Sequence, residues 1–181
     1  GSHAKHWVGV DRAVRAGAPD RLDALADVFR LPFRDASFDC VLCTQVLEHV
    51  ARPPALFEEA RRVLRPGGRL ILSAPQYNPL HEEPHDYFRY TRYGLSALAG
   101  DAGFEVAVLR QLGGAPAVVG QAVVWHLNWV RRLPLLGIGL SAGLNAAIAW
   151  AALRADAPLR RWGAGAVSDT LGWLLVARRS M

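Results

Sequence analysis

Two short stretches hold most of the side chains in this chain that could do chemistry. In Gln76–Thr91, QYNPLHEEPHDYFRYT, the imidazole of His81 or His85 can accept a proton as a general base, and Asp86 can orient an imidazole. Tyr87 and Tyr90 supply aromatic walls of the kind that favour a cation. Upstream, Thr44, Gln45, Glu48 and His49 in TQVLEH offer a hydroxyl, an amide, a carboxylate and a further imidazole. Each group also has a structural use. Arg89 can pair with Asp86 or Glu83, the histidines can bond backbone, Thr91 can cap the following helix, and the His49 ring can bond a loop carbonyl.

Both stretches follow segments that read as strands. Phe38–Cys43 is an apolar run dense enough to predict a parallel strand covered on both faces. Pro53 and Pro54 suit a first helical turn, and Leu56, Phe57, Ala60, Val63 and Leu64 recur at helical spacing. Arg65-Pro66-Gly67-Gly68 is expected to end that helix, with glycine taking the left-handed cap, and Arg69–Pro75 to form a second buried strand. In such βαβ units ligands bind beyond the carboxyl ends of the strands, so Thr44, Gln45, Glu48 and His49 belong at the mouth of a crevice. Thr91–Ala102 reads as a helix with Leu95, Leu98, Ala99 and Ala102 on one face, and Gly103–Leu109 as another strand.

Together, Leu31-Pro32-Phe33 with Phe38-Asp39, QVLEHV at 45–50 and RVLRPGG at 62–68 resemble the class I S-adenosylmethionine-dependent methyltransferases, in particular the type 11 group. The resemblance covers residues 6 to 110 and a last strand near Thr170–Arg179. It implies an α/β fold, a Rossmann-like three-layer sandwich with a mostly parallel sheet and an antiparallel final strand. It also implies S-adenosylmethionine as cofactor and S-adenosylhomocysteine as product. On this pattern Asp11, ending the strand at Trp7–Asp11, holds the ribose hydroxyls, as a carboxylate can by accepting two hydrogen bonds. Asp27, Val28 and Phe29 contact the adenine, and Thr44 and Gln45 complete the cofactor side. The segment H-x-x-P-x-D-Y-x-R-Y-T at 81–91 caps the acceptor side, with His85 or His49 as proton acceptor and His81, Tyr87 and Arg89 toward the substrate.

One family feature is missing. The glycine-rich loop D-x-G-x-G of the first strand has no counterpart, since six residues precede Trp7 and neither Gly67-Gly68 nor Gly113-Gly114 follows a strand and opens a helix. That strand belongs in the middle of the family's sheet, so its neighbours are expected to keep unpaired edges. Either the chain is a piece of a longer one, or another element stands in that place. The competing function is accordingly a non-catalytic methyltransferase-like protein that has lost cofactor binding and serves assembly.

Length and the 51% apolar content predict one domain over residues 1–181, with a sheet core from 1–110 and 165–181 and an apolar helical insertion at 111–164. The net charge of +5 lies wholly after residue 110: the first 110 residues hold 14 basic and 14 acidic side chains, the rest 7 and 2. The insertion, uncharged from Leu133 to Leu153 and flanked by arginines and tryptophans, suits a lid, a homodimer interface, or peripheral contact with an anionic membrane, and by length could just span one. Nucleic acid is a weaker explanation of the basic balance and is not expected as a partner, because the basic residues sit among apolar runs. Cys40 and Cys43, three apart on a strand, point to opposite faces and are expected as buried core thiols in a reducing compartment. No four-ligand zinc pattern, Walker loop, Ser/His/Asp elbow or secretory signal occurs, so no metal is expected. The resemblance implies methyl transfer to a small-molecule or lipid-linked acceptor, in the cytoplasm or at the inner membrane face.

Overall fold

The computed structural model describes residues 6–13, 22–127, 143–152, 154–155 and 169–181. Strands β1 (Val10–Asp11) and β2 (Ala24–Leu25) pair in parallel as a sheet of their own. The main sheet contains β3 (Phe38–Thr44), β4 (Leu64–Pro75), β5 (Phe104–Leu112) and β6 (Gly172–Arg179), in the order β3-β4-β6-β5. β3 and β4 are parallel, whereas β6 runs antiparallel to both of its neighbours. Hence β3, β4 and β5 point one way and only the last strand opposes them, as the sequence predicts.

Helix α1 (Pro53–Val63) carries proline in its first turn and buries Leu56, Phe57, Ala60 and Val63. Phe57 meets Phe104 edge to face at 6.3 Å. Helix α2 (Arg92–Asp101) is capped by Thr91, whose hydroxyl accepts from the Gly94 amide, and buries Leu95 and Ala99. These helices cover Leu70, Leu72, Ala74, Leu175 and Ala177, all without exposed surface, so the core lies on one side of the sheet.

Several expectations are corrected. β3 is not covered on both faces by the described residues: Leu42 is 68% exposed and Cys40 is exposed, because the packed helices lie on the other face of the sheet. Cys43, on the other face, is partly buried, and its thiol pKa is pushed up to about 12, chiefly by burial and secondarily by Glu48. The α1 helix stops at Val63, before the glycines. Leu64 is already extended and pairs with Phe38, and the left-handed Gly67 lies within β4. β5 runs on to Leu112, which moves the start of the insertion.

Within the insertion, α3 (Ala115–Leu127) lies against the helical residues 143–152. A Cβ on Gly120 would come within 2.8 Å of the Ala152 Cβ, so the absence of a side chain there permits the contact. No helix among the described residues is long and apolar enough to cross a membrane. Arg131, Arg132, Arg160, Arg161, Trp129, Trp162 and most of the run from Leu133 to Leu153 lie outside the described residues.

The Leu31-Pro32-Phe33 loop is fastened to α1 by one guanidinium. Arg62 donates to Glu59 (2.7 and 2.8 Å), Asp35 (2.6 Å) and the carbonyls of Phe33 (2.8 Å) and Leu31 (3.1 Å), while Glu59 accepts from the Leu31 amide at 2.6 Å. The Arg62 hydrogen bond is the main cause holding the Glu59 pKa below its ordinary value, against the opposing effect of burial. A carboxylate depressed in this way adds stability above its unfolded pKa of about 4.3 and loses it as pH falls through the folded value. Glu59→Gln should therefore flatten the acid limb of stability against pH, measured by urea unfolding. An unchanged limb would remove Glu59 from acid denaturation. Arg62→Ala should cost about 2 kcal/mol at neutral pH in the same assay.

Candidate active site

The register of the main sheet brings four chain ends to one edge. Thr44 pairs with Ser73, Pro75 with Gly172, and Gly172 with Leu112, so β3, β4 and β5 end where β6 begins. Gln45 leaves this edge in the left-handed region (φ 52°), its amide donating to the Ser73 carbonyl at 3.0 Å and its side-chain nitrogen to the Ser73 hydroxyl at 3.1 Å. A 3-10 turn at Leu47–His49 follows.

That turn and the segment after β4 interlock. The Glu48 carbonyl accepts from the amides of Tyr87 (2.9 Å) and Phe88 (3.3 Å), and the Tyr90 amide donates to Pro75 at 2.8 Å. The buried Tyr90 hydroxyl donates to the Leu47 carbonyl at 3.1 Å. His49 Nδ1 meets the His85 carbonyl at 2.7 Å, the loop-carbonyl bond that the sequence offered as its structural use. His49 and His81 face each other edge to face at 4.8 Å.

Asp86 has two tasks here. It pairs in bidentate fashion with Arg89 (2.6 and 2.7 Å), and its Oδ2 lies 3.3 Å from His81 Nδ1 while accepting the His81 amide at 3.0 Å. The imidazole it orients is thus His81 and not His85. The Arg89 hydrogen bonds are the main cause holding the Asp86 pKa well below its ordinary value. Arg89 also donates to the carbonyls of Asn78, Phe88 and Pro79. With its five donors occupied inside the loop, Arg89 braces the segment and has none left for a substrate, contrary to its expected role. His85 is exposed, its Nδ1 3.1 Å from the Tyr87 hydroxyl. Glu48 has no exposed side-chain surface, and burial is the main cause raising its pKa.

A cavity of about 190 Å³ opens beside this edge between Gln45, Pro75, Tyr77, Asn78, Gln121, Trp125 and Leu171. Tyr77 stacks on Trp125 at 6.0 Å, so α3 forms one wall. The sequence did not single out Gln121, and it offered Trp125 for membrane-surface contact and Leu171 for the last strand, neither as lining of this cavity. A larger cavity, about 430 Å³, lies among Arg30–Arg34, Glu59 and Arg62, at the opposite end of β3 from the imidazoles.

Of the expected cofactor residues, Gln45 borders the smaller cavity, whereas Asp11, Asp27, Val28 and Phe29 line neither. Asp11 is exposed at the end of β1, its Oδ1 accepting from the amides of Arg12 and Ala13. Asp27 accepts the Phe29 amide at 2.9 Å, Phe29 lies under the Arg52 guanidinium at 4.7 Å, and Val28 and Phe29 pack on the core. In both carboxylates Oδ2 has no hydrogen bond among the described residues, which fits acceptors for a diol and an exocyclic amine. No hydrogen bond joins Asp11 or Asp27 to Thr44 or Gln45.

Residues 7–72 match a family model described as a methyltransferase domain. A 37.1 kDa protein of transposon TN4556 from Streptomyces fradiae is 38% identical over 119 residues, covering 53% of this chain and 34% of that protein. The ubiquinone/menaquinone biosynthesis C-methyltransferase UbiE of Roseobacter denitrificans is 39% identical over 99 residues, 51% of this chain and 39% of the enzyme. The chain therefore spans well under half the length of these relatives. Among solved structures, the cyclase SpnF has a similar fold (TM-score 0.52, 20% identity, 91% of this chain and 58% of SpnF), a likeness that shows the fold and not the reaction. Residues 7–72 are thus similar to a methyltransferase domain, and the main sheet sets a single antiparallel strand between two parallel ones.

Proposed function

We propose that the chain binds S-adenosylmethionine and takes part in transferring its methyl group to a small-molecule acceptor. The convergence of the β3 and β4 ends, three imidazoles and a walled cavity at one sheet edge carries this proposal. The sulfonium of the cofactor supplies an activated methyl group, so alignment, exclusion of water and removal of a proton are what remain for the protein. Asp11 would accept from the ribose hydroxyls and Asp27 from the adenine amine, with Val28 and Phe29 beside the ring. Thr44 and Gln45 border the space between that side and the acceptor. His85 is the imidazole best exposed to take a proton, since His49 is held on a carbonyl and His81 on Asp86. Tyr87 and Trp125 then flank the acceptor.

A lipid-linked acceptor, membrane-surface contact or a homodimer is a narrower form of the same proposal. Exposed Val119, Val123, Leu144 and Trp150 on α3 and its neighbouring helix favour such an apolar partner. The non-catalytic alternative draws on β3, which among the described residues is an edge strand of the main sheet.

Calorimetric titration of S-adenosylmethionine and S-adenosylhomocysteine should give micromolar binding, weakened about tenfold or more by Asp11→Ala. No binding to this chain would favour the non-catalytic alternative. Once an acceptor is found, His85→Ala should lower kcat about 100-fold with little change in KM. Full turnover would take His85 out of the mechanism.

A further inference from the structure

We propose that Glu48, His49 and His81 form a site for one divalent transition-metal ion of the zinc class, with a coordination position left for an oxygen or nitrogen of a small molecule. The first support is a buried carboxyl group without a hydrogen-bond partner. The Glu48 side chain is fully buried, and neither carboxylate oxygen has a hydrogen-bond partner among the described residues. A buried carboxyl group in that condition is costly, nearly all buried polar groups are satisfied, and a bound cation would engage both oxygens. Candidate ligand atoms from Glu48, His49 and His81 lie within 4.8 Å of one another, with His49 Nε2 3.9 Å from Glu48 Oε1.

The second support is the state in which the two imidazoles are held. His49 Nδ1 is 2.7 Å from the His85 carbonyl, which can only accept, so the proton sits on Nδ1 and the lone pair on Nε2. His81 Nδ1 lies 3.1 Å from the Pro79 carbonyl and 3.3 Å from Asp86 Oδ2, again two acceptors, which leaves its Nε2 as the ligand atom. The Asn78 amide is 3.4 and 3.5 Å from the two His81 ring nitrogens, too long and too evenly shared to claim either. Metal-binding histidines are characteristically held in this way, with the second ring nitrogen donating to a carbonyl or carboxylate. Asp86 is itself fixed by Arg89.

Tetrahedral bonds of about 2.1 Å set ligand atoms about 3.4 Å apart, so the cluster would contract by little more than about 1 Å. His49 and His81 keep 17% and 35% side-chain exposure, enough to give both room to turn and an ion a route in. Two nitrogens and one oxygen suit Zn²⁺, Co²⁺ or Fe²⁺ over Mg²⁺ or Ca²⁺, and three protein ligands leave a fourth position beside the Gln76–Thr91 wall.

The test is titration with CoCl₂, followed by visible absorption, in a His3→Ala, His6→Ala background that removes the amino-terminal imidazoles. One Co²⁺ per chain, displaced by ZnCl₂, is expected. Glu48→Gln and His81→Ala should each weaken binding about 100-fold, and Asp86→Asn about tenfold through the orientation of His81. The partly exposed His81 makes His81→Ala the safer variant for folding, which circular dichroism checks. Absence of a Co²⁺ spectrum at millimolar metal, or affinity unchanged in both Glu48→Gln and His81→Ala, would overturn the proposal. It stands apart from cofactor binding, since a chain that takes Co²⁺ but no S-adenosylmethionine keeps the metal site and loses only the methyltransferase proposal.

Discussion

The seating of β6 between β4 and β5 is the constraint on which the rest of the molecule depends. A return strand must slide in antiparallel while matching both neighbours, and the register achieves it by alternation. Leu70, Leu72 and Ala74 oppose Ala177, Leu175 and Trp173, so the small and large side chains of the two strands share one buried face. The entry point admits no side chain, since a Cβ on Gly172 would lie 2.6 Å from the Ala74 carbonyl. Just before it, the Leu171 carbonyl accepts the amides of Gln76 and Tyr77, and the Trp173 indole donates to Gln76, 97 residues away. The direction of the loop that carries the imidazoles is therefore set by the last strand of the chain.

The fold was legible where local chemistry and period agreed. Prolines at the start of α1, the hydroxyl cap of Thr91 and the apolar spacing in between named the helices before any coordinates did. Burial on the second face of β3 was not legible, because Phe38–Cys43 reads the same whether or not anything lies against Leu42 and Cys40. The end of α1 was misplaced for a similar reason: the Arg-Pro-Gly-Gly signal is real, but Leu64 is already committed to Phe38, and a tertiary pairing overrides a local stop.

Around the candidate site, chain order left several side-chain partners open. Asp86 lies beside an imidazole as expected, but chain order cannot tell His81 from His85 when a loop folds back on a turn 36 residues upstream. Glu48 drew little notice, since nothing in TQVLEH says that its carboxyl group will be fully buried without a hydrogen-bond partner. Gln121 and Trp125 were invisible as site residues because their place depends on how α3 crosses the sheet edge.

The closed circuit of Arg89 has a consequence for recognition. Its guanidinium, Asp86, and the carbonyls of Asn78, Pro79 and Phe88 already hold one another, so the loop is ordered before any ligand arrives. Side chains that are free in solution typically surrender about 0.5–1.5 kcal/mol each when a ligand immobilises them, and here that entropy is spent during folding. An incoming molecule meets a wall of fixed shape, and selectivity falls to its fit against rigid aromatic and imidazole surfaces instead of to a loop that can remould around many shapes.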